Sequence, residues 1–254
     1  MSYTKLRIFT AVLCCILLSS AFMISCGQQN DPPPEYNYTE TDKDLKVNVG
    51  NAVTVNHREG YELSVTRISV LVEGKQQITD TVNRTLDTWL ADGVEKSDRF
   101  YASIKDVLSD LTSLRLKNEI TFNANGILSA VCRLEYSYYG EDFLYVLNSA
   151  TWDLGDQSVI PVLSMLSMTE ADYENFLTMY FQPSISTYPD NYPSSLNNAS
   201  GCYSKFIDYY INDKGICLYL NNDLMDYSKS YLEYALDFKN NPGMFRYDLE
   251  TFSD

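Results

Sequence analysis

The residues able to do chemistry are few, and their spacing argues against most of it. His57 is the single histidine among 254 residues, so a two-histidine metal site cannot be built, and Ser-His-Asp or Cys-His catalysis has one candidate base. It stands between Asn56 and Arg58 at a strand end, where a solvated loop position is expected. Glu141 and Asp142 form an adjacent carboxylate pair beside Gly140. Neighbours on a strand face opposite ways, and a tight turn leaves both in water, so neither is expected to be tuned for glycoside hydrolysis. Asp153 with Asp156, and Asn212-Asp213 with Asn221-Asn222-Asp223, offer oxygens to calcium. They lack the Asp-x-Asp-x-Asp-Gly pattern and its closing Glu. The sequence therefore assigns no catalytic residue, no metal and no cofactor.

Six cysteines divide by position. Cys14 and Cys15 lie within an apolar run, Cys26 directly follows it, and Cys132, Cys202 and Cys217 belong to the folded part. An odd number leaves room for one bridge. If a bridge forms, Cys202 to Cys217 is the expected pair, worth about 3 kcal/mol in the chain-entropy model; the alternative is three reduced thiols. No Cys-x-x-Cys is present, so neither a thioredoxin-like redox site nor a zinc ribbon is indicated.

The first residues carry an address. Lys5 and Arg7 precede the apolar run Ile8 to Ile24, which ends at Ser25-Cys26-Gly27. That is the pattern of a bacterial secretory signal. Met23-Ile24-Ser25-Cys26 resembles a lipobox, with Met where Leu is usual, which implies lipidation of Cys26 and removal of residues 1–25. Residues 26–45 then read as the lipidated cysteine and a flexible tether containing Pro32-Pro33-Pro34. A secreted protein and an uncleaved membrane anchor are the alternatives, and the anchor leaves the position of Cys26 unexplained. The expected location is the outer face of a bacterial membrane, held through the acyl anchor.

With 34 acidic and 19 basic side chains the net charge is −15, and loss of Lys5 and Arg7 would make it −17. No Lys/Arg cluster exists to bind phosphates, so nucleic acid is excluded as a partner. Such a charge keeps a protein soluble, and it also attracts a cationic partner.

The elements that must position a site follow from periodicity. Lys46 to Asn56 and Tyr61 to Val72 read as strands. One helix is expected with Ile78, Val82, Leu86, Trp89 and Leu90 on a face, stopping at Gly93. A second is expected after Ser97 as cap, with Phe100, Ile104, Leu108 and Leu111 on a face. Arg115 to Asn123, Ile127 to Tyr139 and Phe143 to Leu154 alternate as a three-stranded meander turning at Asn125-Gly126 and Gly140-Glu141-Asp142. Thr169-Glu170-Ala171-Asp172 opens a helix with Tyr173, Phe176, Leu177, Tyr180 and Phe181 on its face, ending at Pro183. Pro183 to Gly201 reads as an irregular segment, two strands flank Asn212 to Gly215, and a last strand runs Tyr231 to Phe238. The expected fold class is α+β, antiparallel sheets packed against a few helices, in two intimately associated subdomains: an N-terminal module over 46–112 and a C-terminal domain over 113–254.

In the C-terminal domain the order Tyr136-Ser137-Tyr138, a Gly140 turn, Ala150-Thr151-Trp152-Asp153-Leu154, Gly155 and Val159-Ile160-Pro161-Val162-Leu163 resembles the extracytoplasmic domain of lysozyme-sensing anti-sigma factors. The same domain accompanies some Gram-positive peptidoglycan deacetylases. The closing section is similar too: Phe206 to Ile211, the Gly215 turn, Ile216 to Leu220, Leu224-Met225-Asp226-Tyr227, then Tyr234 and Leu236. The leading half, with its helix around Asn83, resembles the module that usually precedes that domain. Departures bear on function. Where relatives commonly carry Gly-Gly-Ala-His, this chain has Tyr139-Gly140-Glu141-Asp142, and Ser230 replaces a glycine. A deacetylase needs an Asp and two His around a metal, and an anti-sigma factor needs a cytoplasmic domain, whereas seven residues precede the apolar run. The resemblance implies a sensing or binding surface without either output.

Twenty-one tyrosines, many interleaved on strands as at Tyr136, Tyr138, Tyr145, Tyr209, Tyr210 and Tyr219, suit half-buried sheet faces or an aromatic platform. Three functions remain. The first is a non-enzymatic lipoprotein binding a basic, lysozyme-type protein through Glu141, Asp142, Tyr188 and Tyr192 at the turn and the irregular segment. The second is a cell-wall glycan binder, and the third a hydrolase with an unrecognised site.

Overall fold

A computed structural model of the chain describes residues 47–106, 111–138, 141–189, 192, 196, 202–220, 232–241 and 243–246. The hairpin of β1 (Val47–Arg58) and β2 (Tyr61–Val72) turns at Gly60. Gly60 has φ +90°, and a Cβ there would lie 2.6 Å from the Tyr101 hydroxyl, which donates to the Gly60 carbonyl at 2.9 Å. Both the left-handed backbone and the close approach require glycine.

One helix, α1 (Gln76–Ile104), follows, where the sequence suggested two. Its buried positions Ile78, Val82, Leu86, Leu90, Gly93, Ser97, Phe100 and Ile104 run as one stripe. Gly93 does not stop the helix. It admits Leu116, whose Cδ1 would be 2.7 Å from a Cβ at that position. Ser97 is not a cap either: its hydroxyl donates to the Gly93 carbonyl one turn back at 2.7 Å. Leu108 lies outside the described residues.

The helix is the crossover of a β-α-β unit, because β2 pairs parallel with β3 (Ser113–Ala124) from Glu62↔Ser113 to Thr66↔Lys117. From β3 the expected meander runs antiparallel through β4 (Ile127–Tyr138) and β5 (Glu141–Asp153). Asn125 and Gly126, with φ of 52° and 72°, make its first turn. A short β6 (Ser158–Val159) completes the six-stranded sheet β1-β2-β3-β4-β5-β6. The sheet is thus continuous between the two modules read from the sequence.

After a one-turn helix α2 (Val162–Met165), α3 (Glu170–Thr187) begins at a capping box in which the Asp172 amide donates to Thr169 Oγ1 at 3.2 Å. It continues through Pro183, contrary to the sequence reading. The buried row Tyr173, Leu177, Phe181 and Ile185 explains why: Ile185 is 1% exposed in the core, and its burial, about 1.5–3 kcal/mol, offsets a proline cost near 3 kcal/mol. A 3-10 turn (Tyr203–Lys205) leads to the antiparallel sheet β7 (Ile207–Ile211), β8 (Gly215–Leu220), β9 (Glu233–Asp237). Gly215 is obligatory, since a Cβ would sit 2.0 Å from the Leu236 carbonyl oxygen.

The large sheet is the middle layer. Against one face lies α1, burying Leu63, Val70, Leu114, Leu134 and Trp152. Against the other lies the small sheet, through Val131, Val146, Tyr210, Cys217 and Tyr219. Polar ties fix this second contact: the Ile211 amide donates to Ser129 Oγ at 3.0 Å, Ser149 to the Tyr209 carbonyl at 2.6 Å, and Tyr219 to Ser149 at 2.9 Å. The third buried cluster joins α3 to the small sheet and to Phe122 and Ile127. The mixed, largely antiparallel α+β class holds, with β2·β3 as the parallel exception. Among the described residues no helix is long and apolar enough to cross a membrane. Cys26 and the tether lie outside the described residues.

Candidate functional site

The acidic turn opens β5 but is not free to act as an acid pair. Asp142 accepts from the Ser137 hydroxyl and lies 3.6 Å from Arg115. Arg115 also faces Glu135 at 3.5 Å, Lys117 reaches Glu135 at 2.8 Å and Glu119 at 3.5 Å, and Arg133 donates to Glu119 at 2.7 Å. Three cations therefore alternate with three carboxylates across β3, β4 and β5. The Arg133 guanidinium also lies 5.4 Å from the centre of the Tyr210 ring, tying this ladder to the small sheet. Glu141 is exposed at the strand end.

Unbalanced charge is carried elsewhere. Residues 47–138 hold 12 acidic and 10 basic side chains, whereas residues 139–254 hold 17 acidic and 5 basic. In this second stretch, α3 has three carboxylates and no cation, and β9 has two carboxylates and no cation. Between them sits a cluster that the sequence did not single out as a site. Tyr180 of α3 stacks obliquely on Tyr234 of β9 at 4.0 Å between ring centres, and Phe176 lies 4.5 Å from Tyr180 and 5.7 Å from Tyr234. Helical spacing sets Asp172, Phe176 and Tyr180 on one row, next to the buried row of Tyr173, Leu177 and Phe181. Tyr180 is 38% exposed and neighbouring Met179 60%. Burial, then the hydrogen bond with Tyr180, raises the Tyr234 phenol above its ordinary value.

Of the tyrosines expected on a binding surface, Tyr188 is exposed just past the α3 terminus and Tyr192 is not. At 6% exposure Tyr192 packs in the core with α3 and the small sheet, which corrects the sequence reading. Residues 183–187 are helical rather than irregular, and most of 190–201 lies outside the described residues. The interleaved strand tyrosines Tyr136, Tyr145, Tyr210 and Tyr219 are core residues. The helix-to-strand pair joins two distant segments, and the i, i+4 spacing of Phe176 and Tyr180 is its single local trace in the sequence.

His57 has company but no catalytic geometry. Its Nδ1 lies 3.1 Å from Glu62, its cross-strand partner, in an open groove of about 520 Å³ shared with Arg58, Gly60, Tyr61, Thr112 and Ser113. The register runs His57, Glu62, Ser113 across β1, β2 and β3. The carboxylate stands between base and hydroxyl, the reverse of the order that activates a serine. Asp98 is engaged by the Tyr61 hydroxyl at 2.5 Å and by Arg58 at 3.5 Å. Among the described residues no group of three His, Cys, Asp or Glu side chains is arranged to hold a metal.

Cys132, Cys202 and Cys217 are all thiols, so the Cys202–Cys217 bridge does not form in this structure. Cys217 is buried on β8 and accepts from Asn212 Nδ2 at 3.2 Å, which suits a thiol. Burial, then the nearby Glu233 charge, pushes the Cys217 thiol up to about 11, and burial pushes Cys132 up to about 12. Neither is poised as a nucleophile.

No family model matches the chain, and no curated protein matches it. Among solved structures, the chain is similar to a DUF3298 family member from Bacteroides fragilis NCTC 9343, with a TM-score of 0.45 and 10% identity over 83% of this chain and 96% of that one. It is also similar to a DUF3298 family protein from Pseudomonas aeruginosa PAO1, with a TM-score of 0.42 and 11% identity over 82% of this chain and 98% of that one. DUF3298 denotes a domain of unknown function.

Proposed function

We propose that this chain is a lipid-anchored protein of the outer face of a bacterial membrane that binds a basic protein partner and performs no chemistry on it. The observation that carries the reading is the half-exposed cluster Phe176, Tyr180 and Tyr234 set in elements that hold carboxylates and no cation. Aromatic faces beside carboxylates suit Lys and Arg side chains, through ring quadrupole and charge together. The resemblance to domains of lysozyme-sensing anti-sigma factors supports a lysozyme-type enzyme as the partner class, and the signal and Cys26 support the location.

Calorimetry with a lysozyme-type protein tests it. Affinity should fall as salt rises, and a basic control such as cytochrome c should bind at least about tenfold, or 1.4 kcal/mol, more weakly. Tyr180→Ala should weaken binding by about 1 kcal/mol, while Tyr180→Phe, which keeps the ring face, should not. Equal binding of the control, or an Ala variant that binds as well as the parent, rejects the reading. The Tyr180–Tyr234 stack favours a second reading, a cell-wall glycan binder. That reading gains if sugars bind with little salt dependence.

A further inference from the structure

We infer that the outer edge of β1 is an interface and that its occupant is a second copy of this chain, paired antiparallel across a two-fold axis near Val53. The strand is twelve residues long and, among the described residues, bonded on one side alone, to β2. Every second residue therefore points an N–H and a C=O outward. Neither face of the strand is covered: Asn51, Ala52, Val53, Thr54 and Val55 are all exposed, Val53 at 64% and Val55 at 52%.

Sheet edges are normally protected by shortness, charge, proline, a bulge or a covering element. The other edges here have such protection. Strands β7 and β9 have five residues each, β6 has two, and the open stretch of β5 begins with Glu141 and Asp142. Among the described residues strand β1 has little of it: no acid, no lysine and no proline, a single permanent charge at its last residue, Arg58, and an unbroken register with β2.

Charge selects the occupant. A foreign cationic protein would be drawn to the stretch after residue 138, with its 17 acidic and 5 basic side chains. A second copy of a chain of charge −15 can approach most easily where charge is balanced, and residues 47–138 are nearly so. Three strand spacings separate β1 from β4, about 14 Å, and the physiological Debye length is about 8 Å, so the acidic part of the other copy is screened. Of the two carboxylates at this end of the hairpin, Glu59 lies in the turn beyond the strand, and Glu62 already faces His57.

The strand is also self-complementary. A two-fold axis perpendicular to the sheet must let one residue face itself, because side chains alternate sides. Centred on Val53, such pairing sets Asn51 against Val55, Val49 against His57 and Asn48 against Arg58. No like charges oppose, and the central valines cover one another.

The test is photo-crosslinking of the whole chain in cells, with a benzophenone amino acid at Val53 and, separately, at Val159, which is 56% exposed beside the opposite edge. The expected result is an adduct of twice the chain's mass from Val53 and not from Val159. Val53→Lys with Val55→Lys, probed from Asn51, should reduce that adduct at least about tenfold, as edge lysines do. A Met179→Lys control should leave it unchanged. No dimer adduct from Val53, an adduct of another mass, equal adducts from both probes, or an adduct insensitive to the two lysines overturns the inference. The probe comparison stands even if the double-lysine variant fails to fold. Lysozyme binding is not read here, so the result is independent of the proposed function.

Discussion

Gly93→Ala should destabilise this protein, although alanine is the best helix former and Gly93 lies inside α1. The exchange gains about 0.8–1.0 kcal/mol of helix propensity. Against this, the new Cβ would lie 2.7 Å from Leu116 Cδ1 and 3.0 Å from Cδ2, closer than methyl groups approach. Leu116, on β3, is fully buried beneath α1, so it cannot swing into solvent. Overpacking of this kind costs about 1–3 kcal/mol, giving a net loss near 1 kcal/mol. Leu116→Ala alone should cost about 2–5 kcal/mol. In that background the obstructing methyls are gone, and Gly93→Ala should become stabilising by about 1 kcal/mol. The two substitutions are then coupled by about 2 kcal/mol, well above the 0.3–0.5 kcal/mol scatter of independent sites. Urea unfolding followed by circular dichroism measures all four corners of the cycle, provided the m-values agree. A single Gly93→Ala variant more stable than the parent, or coupling within 0.5 kcal/mol of zero, would refute the close approach of α1 to β3.

Burial lifts the Tyr145, Tyr173, Tyr210 and Tyr219 phenols above the ordinary 10.0. The fold then retains protons that the unfolded chain releases, so stability is full below about pH 10 and falls as pH rises beyond it. Ultraviolet titration should show exposed tyrosines ionising first and this group only with unfolding; a single uniform transition refutes it. Alkylation near pH 8 should label half-exposed Cys202 well before buried Cys132 and Cys217; equal labelling of Cys217, or no labelling of Cys202 until a reductant is added, counts against the thiol assignment. Cys26→Ala should abolish incorporation of labelled fatty acid, and unchanged labelling sinks the lipid anchor. Glu141→Gln with Asp142→Asn should alter association with a basic protein by less than about twofold, because Arg115 already faces Asp142; a larger fall would move the contact surface to the turn.

What the sequence determined by itself is local. Asn125-Gly126 specifies a turn because its residues tolerate positive φ, Thr169 and Asp172 cap a helix across three positions, and alternation over 132–138 specifies the second half of a strand. Each signal lies within a few residues of its effect. Tertiary structure decided the rest. Gly93 and Pro183 carry real local penalties, and both are overridden by contacts with distant segments: Leu116 needs the space at Gly93, and Ile185 fills the core beyond Pro183. Tyr192 looked like a surface residue among polar neighbours, and it is buried because the small sheet and α3 close over it. The aromatic cluster has the same origin. Phe176 and Tyr180 share a helical row, but Tyr234 reaches them from β9, and β9 is placed by its pairing with β8. Chain spacing reports what one element can present. Which elements meet, and therefore which side chains form a surface together, is set by the burial of faces against one another, a property of the whole fold that no short window contains.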